Sequence, residues 1–402
     1  MVFNAPGIYV IEEAGGSRPI QAVGTSTAAF VGVAPDAKAP RDRAVACNNW
    51  TDFVRAFASN ENAETTPLAQ AVYGFFQNGG SRCYVVAVEK DKPITSSGSK
   101  RSSARGGLEL LEQIDEVAIV AAPGYTDVSS YEALLAHCEN MKDRVAILDG
   151  PAMVDDVADL TTVAAASAGG EGAPAAKGLR PRLSKGGYGA VYYPWLVVNA
   201  ALPPYNQITT PPSGYVAGIW ARTDATRGVH KAPANESVRG ALNVTHPITR
   251  QEQAVLNPAG VNVIRFFAQQ GVTVWGARTL DDGSSEWRYV NVRRLFNMIE
   301  ESIANSTRWI VFEPNDQTLW KSIRRDIGAF LTRVWRDGAL MGRTPEEAFF
   351  VKCDEETNPP ENINAGIVTT LIGIAPVKPA EFIIFRISQF EGGTETETEG
   401  GR

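Results

Sequence analysis

The residues of this chain best suited to chemistry are three histidines and four cysteines, and their spacing does not assemble a site. The histidines are His137, His230 and His246, and no two of them have the HxxxH or HExxH spacing of a helical metal site. Cys353 precedes Asp354 at the end of a predicted strand, where an inert thiol is favoured over a nucleophile. The sequence therefore predicts no catalytic, cofactor-binding or metal-binding residue.

Signals for phosphate chemistry and acyl transfer are missing from the sequence. It contains no GxxxxGK[ST] motif and no GxSxG motif. The nearest Gly-rich run, GGEGAPAAKG, lacks the Gly-Lys-Ser/Thr end and follows no predicted strand. Paired acidic residues, such as Glu300 and Glu301, are interpreted as solvated surface. The pattern argues against a nucleotide-hydrolysing enzyme.

One charged pattern is more specific. On a helical wheel for residues 316–337, apolar residues fall on one side and basic residues on the other. The basic residues are Lys321, Arg325 and Arg336, flanked by Arg324 and Arg333. Two interpretations stay open, namely a solvated face and a docking face for an acidic partner. Nucleic acid is not indicated, because no aromatic residues alternate with the basic ones.

Composition sets the broad class. The 402 residues are 44% hydrophobic and 21% charged, which predicts a globular protein of two or three domains. A net charge of −7 gives no overall attraction to nucleic acid or to acidic membranes. The start shows no signal peptide, no apolar run approaches a membrane span of roughly 20 residues, and the scattered cysteines have no CxxC. These features predict synthesis in a cytoplasm with reduced thiols, and release by lysis would need no secretion signal.

The elements that position these residues follow an α/β rhythm. Strands predicted at 25–35, 82–88 and 144–151 alternate with helices at 49–57, 68–80 and 131–141, which favours a partly parallel sheet. Further helices are predicted at 292–303 and 316–337, and further strands at 189–198, 262–280, 308–314 and 347–354. Residues 91–107 and 164–190 are predicted as loops, and 203–257 as irregular.

Both ends of the chain carry short strand-like segments. Near the N terminus, Ile8, Tyr9, Val10 and Ile11 are strand formers, followed by Gly15 and Gly16 as a hinge. Near the C terminus, Phe382, Ile384 and Ile387 alternate with Ile383 and Phe385. Unpaired strand edges recruit other chains, so we expect both segments to pair between subunits.

The energetics of one such arm are close to balanced. Ordering about eight residues costs roughly 8–16 kcal/mol. Four to six hydrogen bonds contribute roughly 1 kcal/mol each, and three buried aliphatic side chains roughly 1.5–3 kcal/mol each. One arm alone is therefore close to break-even, and we expect a lattice in which every subunit gives and receives two arms to be stable while the free subunit stays soluble.

Ten motifs, in order along nearly the whole chain, resemble those of contractile tail sheath proteins of phages and of phage-tail-like injection systems. They stand here as PGIYVIEE, GTSTAAFVG, FFQNGGSRCYVVAV, PPSGYVAGIWARTDATRGVHKAPANE, LNPAGVNVIR, VWGARTL, WRYVNVRRLFNMIEESI, WIVFEPND, GRTPEEAFFVKCD and APVKPAEFIIFRISQ. Each motif alone is weak, and their combination is specific. Residues 164–187 and the acidic tail match no pattern of the family.

The resemblance implies a structural protein rather than an enzyme. Similar proteins stack as six-subunit rings into a helical sheath around an inner tube, with terminal arms adding strands to the sheets of neighbours. A baseplate trigger then starts a contraction that drives the tube through a target envelope without nucleotide hydrolysis. The implied partners are further copies of the chain, the inner tube protein, and baseplate and terminal cap proteins, with no nucleic acid, membrane or cofactor.

The expected fold class is mixed α/β (α+β), with an inner α/β domain built from both termini and an outer domain from the middle of the chain. The expected divisions are an N-terminal arm (1–24), a largely outer middle region (25–284), an inner tube-facing domain (285–378), a C-terminal arm strand (379–390) and a disordered acidic tail (391–402). We expect the basic face of helix 316–337 to contact the tube. The alternatives are a non-contractile structural polymer, such as a shell protein, and, less favoured, an α/β enzyme.

Overall fold

The computed structural model describes residues 19–41, 43–61, 63–95, 106–165, 178–281 and 283–384. Its strands are β1 Ala28–Val33, β2 Val45–Cys47, β3 Cys83–Val88, β4 Ile119–Ala121, β5 Val145–Asp149, β6 Gly189–Tyr193, β7 Leu196–Asn199, β8 Gln207–Thr210, β9 Glu236–Ser237, β10 Ala241–Val244, β11 Val261–Phe267, β12 Gly271–Val274, β13 Phe349–Lys352 and β14 Leu371–Ile374. Its helices are α1 Trp50–Phe57, α2 Pro67–Gln77, α3 Val128–Met141, α4 Ser213–Arg227, α5 Arg250–Leu256, α6 Val290–Ser306, α7 Gln317–Arg336, α8 Pro345–Ala348 and α9 Pro360–Asn364.

A nine-stranded sheet organises the part of the chain before α6. Its strand order is β2-β3-β1-β4-β5-β6-β11-β12-β9, and the six strands from β3 to β11 run parallel. Side chains alternate between the two faces, so that Phe30 enters one apolar cluster and Val31 the other. The partly parallel sheet and the mixed α/β class predicted from the sequence are confirmed.

The prediction that residues 203–257 are irregular is wrong. This stretch holds β8, α4, β9, β10 and α5. Helix α4 is buried on most of its surface, so it lacks the amphipathic pattern from which helices are recognised. Its glycines face α2 closely, because a Cβ built on Gly214 lies 2.3 Å from Ala71 Cα and one on Gly218 lies 2.5 Å from the Phe75 carbonyl oxygen. In the sequence these glycines suggest irregular structure, but in the fold they let α4 pack closely against α2.

Three smaller predictions also change. The strand predicted at 308–314 is wrong, since Arg308–Ile310 form a single 3₁₀ turn and Phe312 is fully exposed. The run 189–198 is two strands, β6 and β7, that separate at Pro194. Of the loop predicted at 164–190, residues 178–188 pack partly into the fold and 189–190 belong to β6, whereas 166–177 lie outside the described residues, as do 96–105 of the other predicted loop.

A third apolar cluster forms around α6 and α7, separate from the two clusters at the large sheet. It includes the two-stranded antiparallel sheet β13–β14 and reaches back to Ile20 near the start of the described chain. Helix α7 matches its prediction, with Asp316 accepting the Leu319 N–H at 2.8 Å as N-cap and Gly338, at φ 81°, just beyond its end.

Candidate inter-subunit surface

The segment that links the N-terminal arm to β1, residues 19–27, is here called the N-root. Ile20 is 1% exposed and packs in the third cluster, and its carbonyl oxygen accepts a hydrogen bond from the Arg333 guanidinium. The Gln21 N–H donates to Ser306 Oγ at 3.3 Å, and the Val23 N–H donates to Ser302 Oγ at 3.0 Å. Helices α6 and α7 therefore hold the N-root largely through its main chain.

A buried ion pair lies where the N-root meets α4 and α6. Arg294 donates to Asp224 Oδ1 at 3.0 Å and Oδ2 at 2.5 Å, and the two side chains are only 3% and 6% exposed. Thr25 joins both partners, since its hydroxyl donates to Asp224 at 2.6 Å and its carbonyl oxygen accepts from Arg294 at 2.9 Å. The Arg294 guanidinium also lies 4.7 Å from the centre of the Trp220 ring. The network ties three separate segments together.

The C-terminal segment is held differently. Residues 375–381, here called the C-root, cross the third cluster with the Val377 N–H donating to the Ala339 carbonyl oxygen at 3.2 Å. The C-root then reaches Glu381, whose carboxylate accepts hydrogen bonds from side chains of Asn257, Arg278 and Tyr289.

Arg278 and Glu381 form a bidentate, fork-like pair of parallel hydrogen bonds. Arg278 Nε lies 2.9 Å from Oε1 and Nη2 lies 2.6 Å from Oε2, while Asn257 Nδ2 adds a bond of 2.7 Å and the Tyr289 hydroxyl one of 3.1 Å. Burial opposes ionisation of Glu381, but the bonds from Arg278 and Asn257 outweigh it and hold the pKa of this carboxyl below its ordinary value. We call this arrangement the Glu381 clamp.

The three residues after the Glu381 clamp are apolar and exposed to solvent. Phe382, Ile383 and Ile384 are 73%, 72% and 81% exposed and belong to no strand within their own chain. The other predicted arm residues, Ile8, Tyr9, Val10, Ile11, Phe385 and Ile387, and the hinge glycines Gly15 and Gly16, lie outside the described residues. Three adjacent exposed apolar side chains are what a strand held by another subunit would present.

The sheet β13–β14 offers strand edges. Within the described part of the chain the two strands pair only with each other, from Phe349 opposite Ile374 to Lys352 opposite Leu371. Phe350 and Leu371 are about half exposed on its outer face. Two-stranded sheets are marginal alone, and additional strands stabilise them.

The predicted basic face of α7 lies on the surface. Lys321, Arg324, Arg325, Arg333 and Arg336 are all exposed. Two of them already have partners within the chain, because Arg325 pairs with Asp326 at 3.0 Å and Arg333 donates to the N-root. Among the described residues no acidic side chain forms an ion pair with Lys321, Arg324 or Arg336. The five residues are therefore not one uniform stripe.

The residues first considered for chemistry do not converge. His137 is buried 3.5 Å from Arg144, and burial together with that cation lowers its pKa to about 4. The four cysteines are buried free thiols, and burial raises the pKa of Cys47 to about 12. In the described ranges no three His, Cys, Asp or Glu side chains form a group that could hold a metal ion, and no helix has the length and hydrophobicity to cross a membrane.

Sequence reasoning missed the Glu381 clamp and the Arg294–Asp224 pair. The partners of these pairs are 103 and 70 residues apart, so no local spacing connects them. Arg294 lies in the helix predicted at 292–303, but its burial depends on packing against α4, which the sequence analysis does not predict. No signal in a single sequence marks either pair.

Two family models match the chain. The model described as the phage tail sheath protein central domain matches residues 106–280, and the phage tail sheath C-terminal domain matches residues 282–390. Among curated proteins, the tail sheath protein of Vibrio phage KVP40 is 30% identical over 176 residues, which is 43% of this chain and 25% of that protein. Alignments span between 25% and 51% of the length of such curated relatives.

Solved structures match over nearly the full length. The sheath complex of an extracellular contractile injection system, PVC, in its contracted state is 30% identical with a TM-score of 0.78, covering 97% of this chain and 98% of that one. The six-fold symmetrised baseplate of the anti-feeding prophage contains a chain that is 31% identical with a TM-score of 0.71, covering 97% and 100%.

Proposed function

The chain belongs to the contractile tail sheath family, and we propose that it polymerises as stacked hexameric rings around an inner tube and contracts to drive that tube through a target envelope. The observation that carries this proposal is the full-length similarity, at 30% identity, to a subunit of a contracted sheath. The exposed apolar segment at Phe382–Ile384 and the outer edges of β13–β14, unpaired within the described chain, are surfaces suited to polymerisation.

The proposed domain division corresponds to the separation between the third apolar cluster and the two clusters at the large sheet. Residues 285–378 form the inner, tube-facing domain together with the N-terminal segment 1–24, and residues 25–284 form the outer region. The third cluster supports this division, because it joins α6, α7 and β13–β14 to Ile20. The apolar clusters at the nine-stranded sheet belong to the middle of the chain, apart from Val290 at the start of α6.

In the proposed assembly, each arm adds a strand to a sheet of a neighbouring subunit. The N-terminal arm, with Ile8 to Ile11 and the hinge at Gly15 and Gly16, and the C-terminal arm, residues 379–390, pair with the open edges of β13–β14 in other subunits. Main-chain hydrogen bonds supply the affinity, and the alternating apolar side chains supply the register.

Deletion of residues 1–16 tests the arm proposal. The truncated chain should fold and melt like the full chain, because its N-root and three cores are intact, but it should form no sheath by negative-stain microscopy. A sheath of normal length and contraction from the truncated chain would contradict a role for this arm.

The exposed basic residues of α7 are proposed to contact the inner tube. Lys321, Arg324 and Arg336 carry the attraction, with Arg325 and Arg333 contributing beside their contacts within the chain. The triple reversal of Lys321, Arg325 and Arg336 to Glu should abolish sheath assembly on purified tubes. Reversal of Lys92, Lys142 and Lys185, exposed lysines of the middle region, is the control matched for charge. Normal sheathed particles from the α7 variant would overturn the tube contact.

Negative-stain microscopy of the native assembly tests the function itself. We expect hollow cylinders of two lengths and diameters, synthesised in a bacterial cytoplasm and attached to a baseplate and a terminal cap. Closed shells would favour the alternative of a non-contractile polymer, and small discrete particles would favour an α/β enzyme.

A further inference from the structure

The Glu381 clamp draws on three parts of the chain that precede the C-root. Asn257 follows α5, Arg278 lies in the connection between β12 and α6, and Tyr289 directly precedes α6. A carboxylate that accepts from all three is fixed in position and in the rotation of its plane. Glu381 therefore has one orientation on the subunit.

The clamp is also the last fixed point before the exposed apolar run. Its two charged side chains are 13% and 21% exposed, which shields the fork from solvent, whereas Phe382 is 73% exposed. Main-chain hydrogen bonds hold the start of the C-root at Ala375 and Val377. Between there and Glu381 the contacts are longer, because Asn291 Nδ2 lies 3.2 Å from the Val377 carbonyl oxygen and Lys378 Nζ lies 3.5 Å from that of Ser285. Without the clamp, the segment from Lys378 onward has no comparable attachment among the described residues.

We propose that the Glu381 clamp is a positioning device that sets the direction in which the C-terminal arm leaves the subunit and thereby governs sheath assembly. Holding the arm root near its bound orientation lowers the conformational entropy lost when the arm joins a neighbour, and it raises the effective concentration of the arm at the receiving edge. This inference rests on the proposed sheath function. It assigns Arg278, Asn257 and Tyr289 to assembly rather than to the stability of the fold.

The test compares Glu381→Gln with Glu89→Gln in the full-length chain. Glu381→Gln keeps the side-chain shape but removes the charge and one acceptor oxygen of the fork. Glu89→Gln removes the same charge from an exposed pair with Arg41 at 3.2 Å, far from the arm in sequence. The Glu381 variant should raise the protein concentration for half-maximal sheath assembly at least tenfold, whereas the Glu89 variant should leave it unchanged.

A spin-label measurement on the free subunit separates positioning from folding. Labels at Ser388→Cys and Thr318→Cys report the distance between the arm and the exposed surface of α7. The distance distribution should broaden in Glu381→Gln while the melting temperature stays within about 2 °C of the parent.

An unchanged distribution, unchanged assembly, or a melting temperature that falls in proportion to the loss of assembly would each overturn the proposal. If the parent chain itself forms no sheath, the proposed function fails and this inference fails with it. Loss confined to Glu381→Gln, with normal assembly by the parent, is the result that supports the clamp.

Discussion

The N-root and the C-root each lead an arm away from the subunit, but the anchors nearest the two arms differ in chemistry. Main-chain groups of the N-root bond to Ser302, Ser306, Arg294 and Arg333, beside a buried ion pair. The last anchor of the C-root is one side chain, Glu381, whose pair with Arg278 is largely shielded from solvent. The N-root is therefore part of the core, whereas we expect the end of the C-root, from Lys378 to Glu381, to detach without unfolding the subunit. Variants in the first should change stability, and variants in the second should change assembly.

The largest expected effect is that of Arg294→Ala. It leaves Asp224, whose side chain is 6% exposed, as an unpaired buried carboxylate and removes a donor to the N-root. We expect the free energy of unfolding, measured by urea titration, to fall by about 3–5 kcal/mol. Arg308→Ala, at an exposed pair 3.9 Å from Asp115, is the control and should cost less than about 0.5 kcal/mol.

Ile20→Ala should have the next largest effect. Ile20 is 1% exposed against α6 and α7, so truncation leaves a cavity in the third cluster. We expect a loss of about 2–4 kcal/mol in the free energy of unfolding. A loss below about 0.5 kcal/mol would show that the N-root is not part of the core, and the contrast with the C-root would disappear.

Acid should release the C-root before the N-root. The pKa of Glu381 in the folded chain lies below its ordinary value of 4.5, so the clamp is intact above that value and is lost as the pH falls through the folded pKa. The main-chain bonds of the N-root do not titrate in this range. The mobility of a spin label at Ser388→Cys should therefore rise below about pH 4.5, and Glu381→Gln should abolish this pH dependence.

The acid experiment needs a control measurement that shows whether the subunit is still folded. Circular dichroism at each pH shows whether the subunit is still folded, which matters because the buried His137, with a pKa of about 4, favours unfolding as the pH falls from about 6.5 towards 4. A Ser388 label that becomes mobile only when the helical signal is lost would contradict an independent release of the C-root.

Ser302→Ala should have the smallest effect. It removes the acceptor of the Val23 N–H, a hydrogen bond of 3.0 Å, together with the bond that the Ser302 hydroxyl donates to the Met298 carbonyl oxygen of its own helix, and should cost about 1 kcal/mol. Hydrogen exchange of the Val23 amide should accelerate while that of the β1 amides changes only with global stability. An equal acceleration along β1 would mean that the N-root and the large sheet open together.

The accuracy of the sequence predictions depended on whether an element has one apolar face. The apolar side of the α7 helical wheel consists of Leu319, Ile323, Ile327, Phe330, Leu331 and Val334, and all six are buried. Helix α4 is buried on most of its surface, so its period is not visible in the sequence. The run 308–314 has the composition of a strand, yet no strand pairs with it in the described chain and it turns instead.

The sequence by itself determined the α/β class, the amphipathic helices, the alternation of buried strands and the resemblance to the sheath family, because these depend on local periodicity and on motifs read in order. Only the tertiary structure decided which charged groups are paired. Arg294 meets Asp224, and Arg278 meets Glu381, across 70 and 103 residues. The energy of a charge depends on its burial and on its nearest partner. Both are set by how distant segments pack, which no local pattern records.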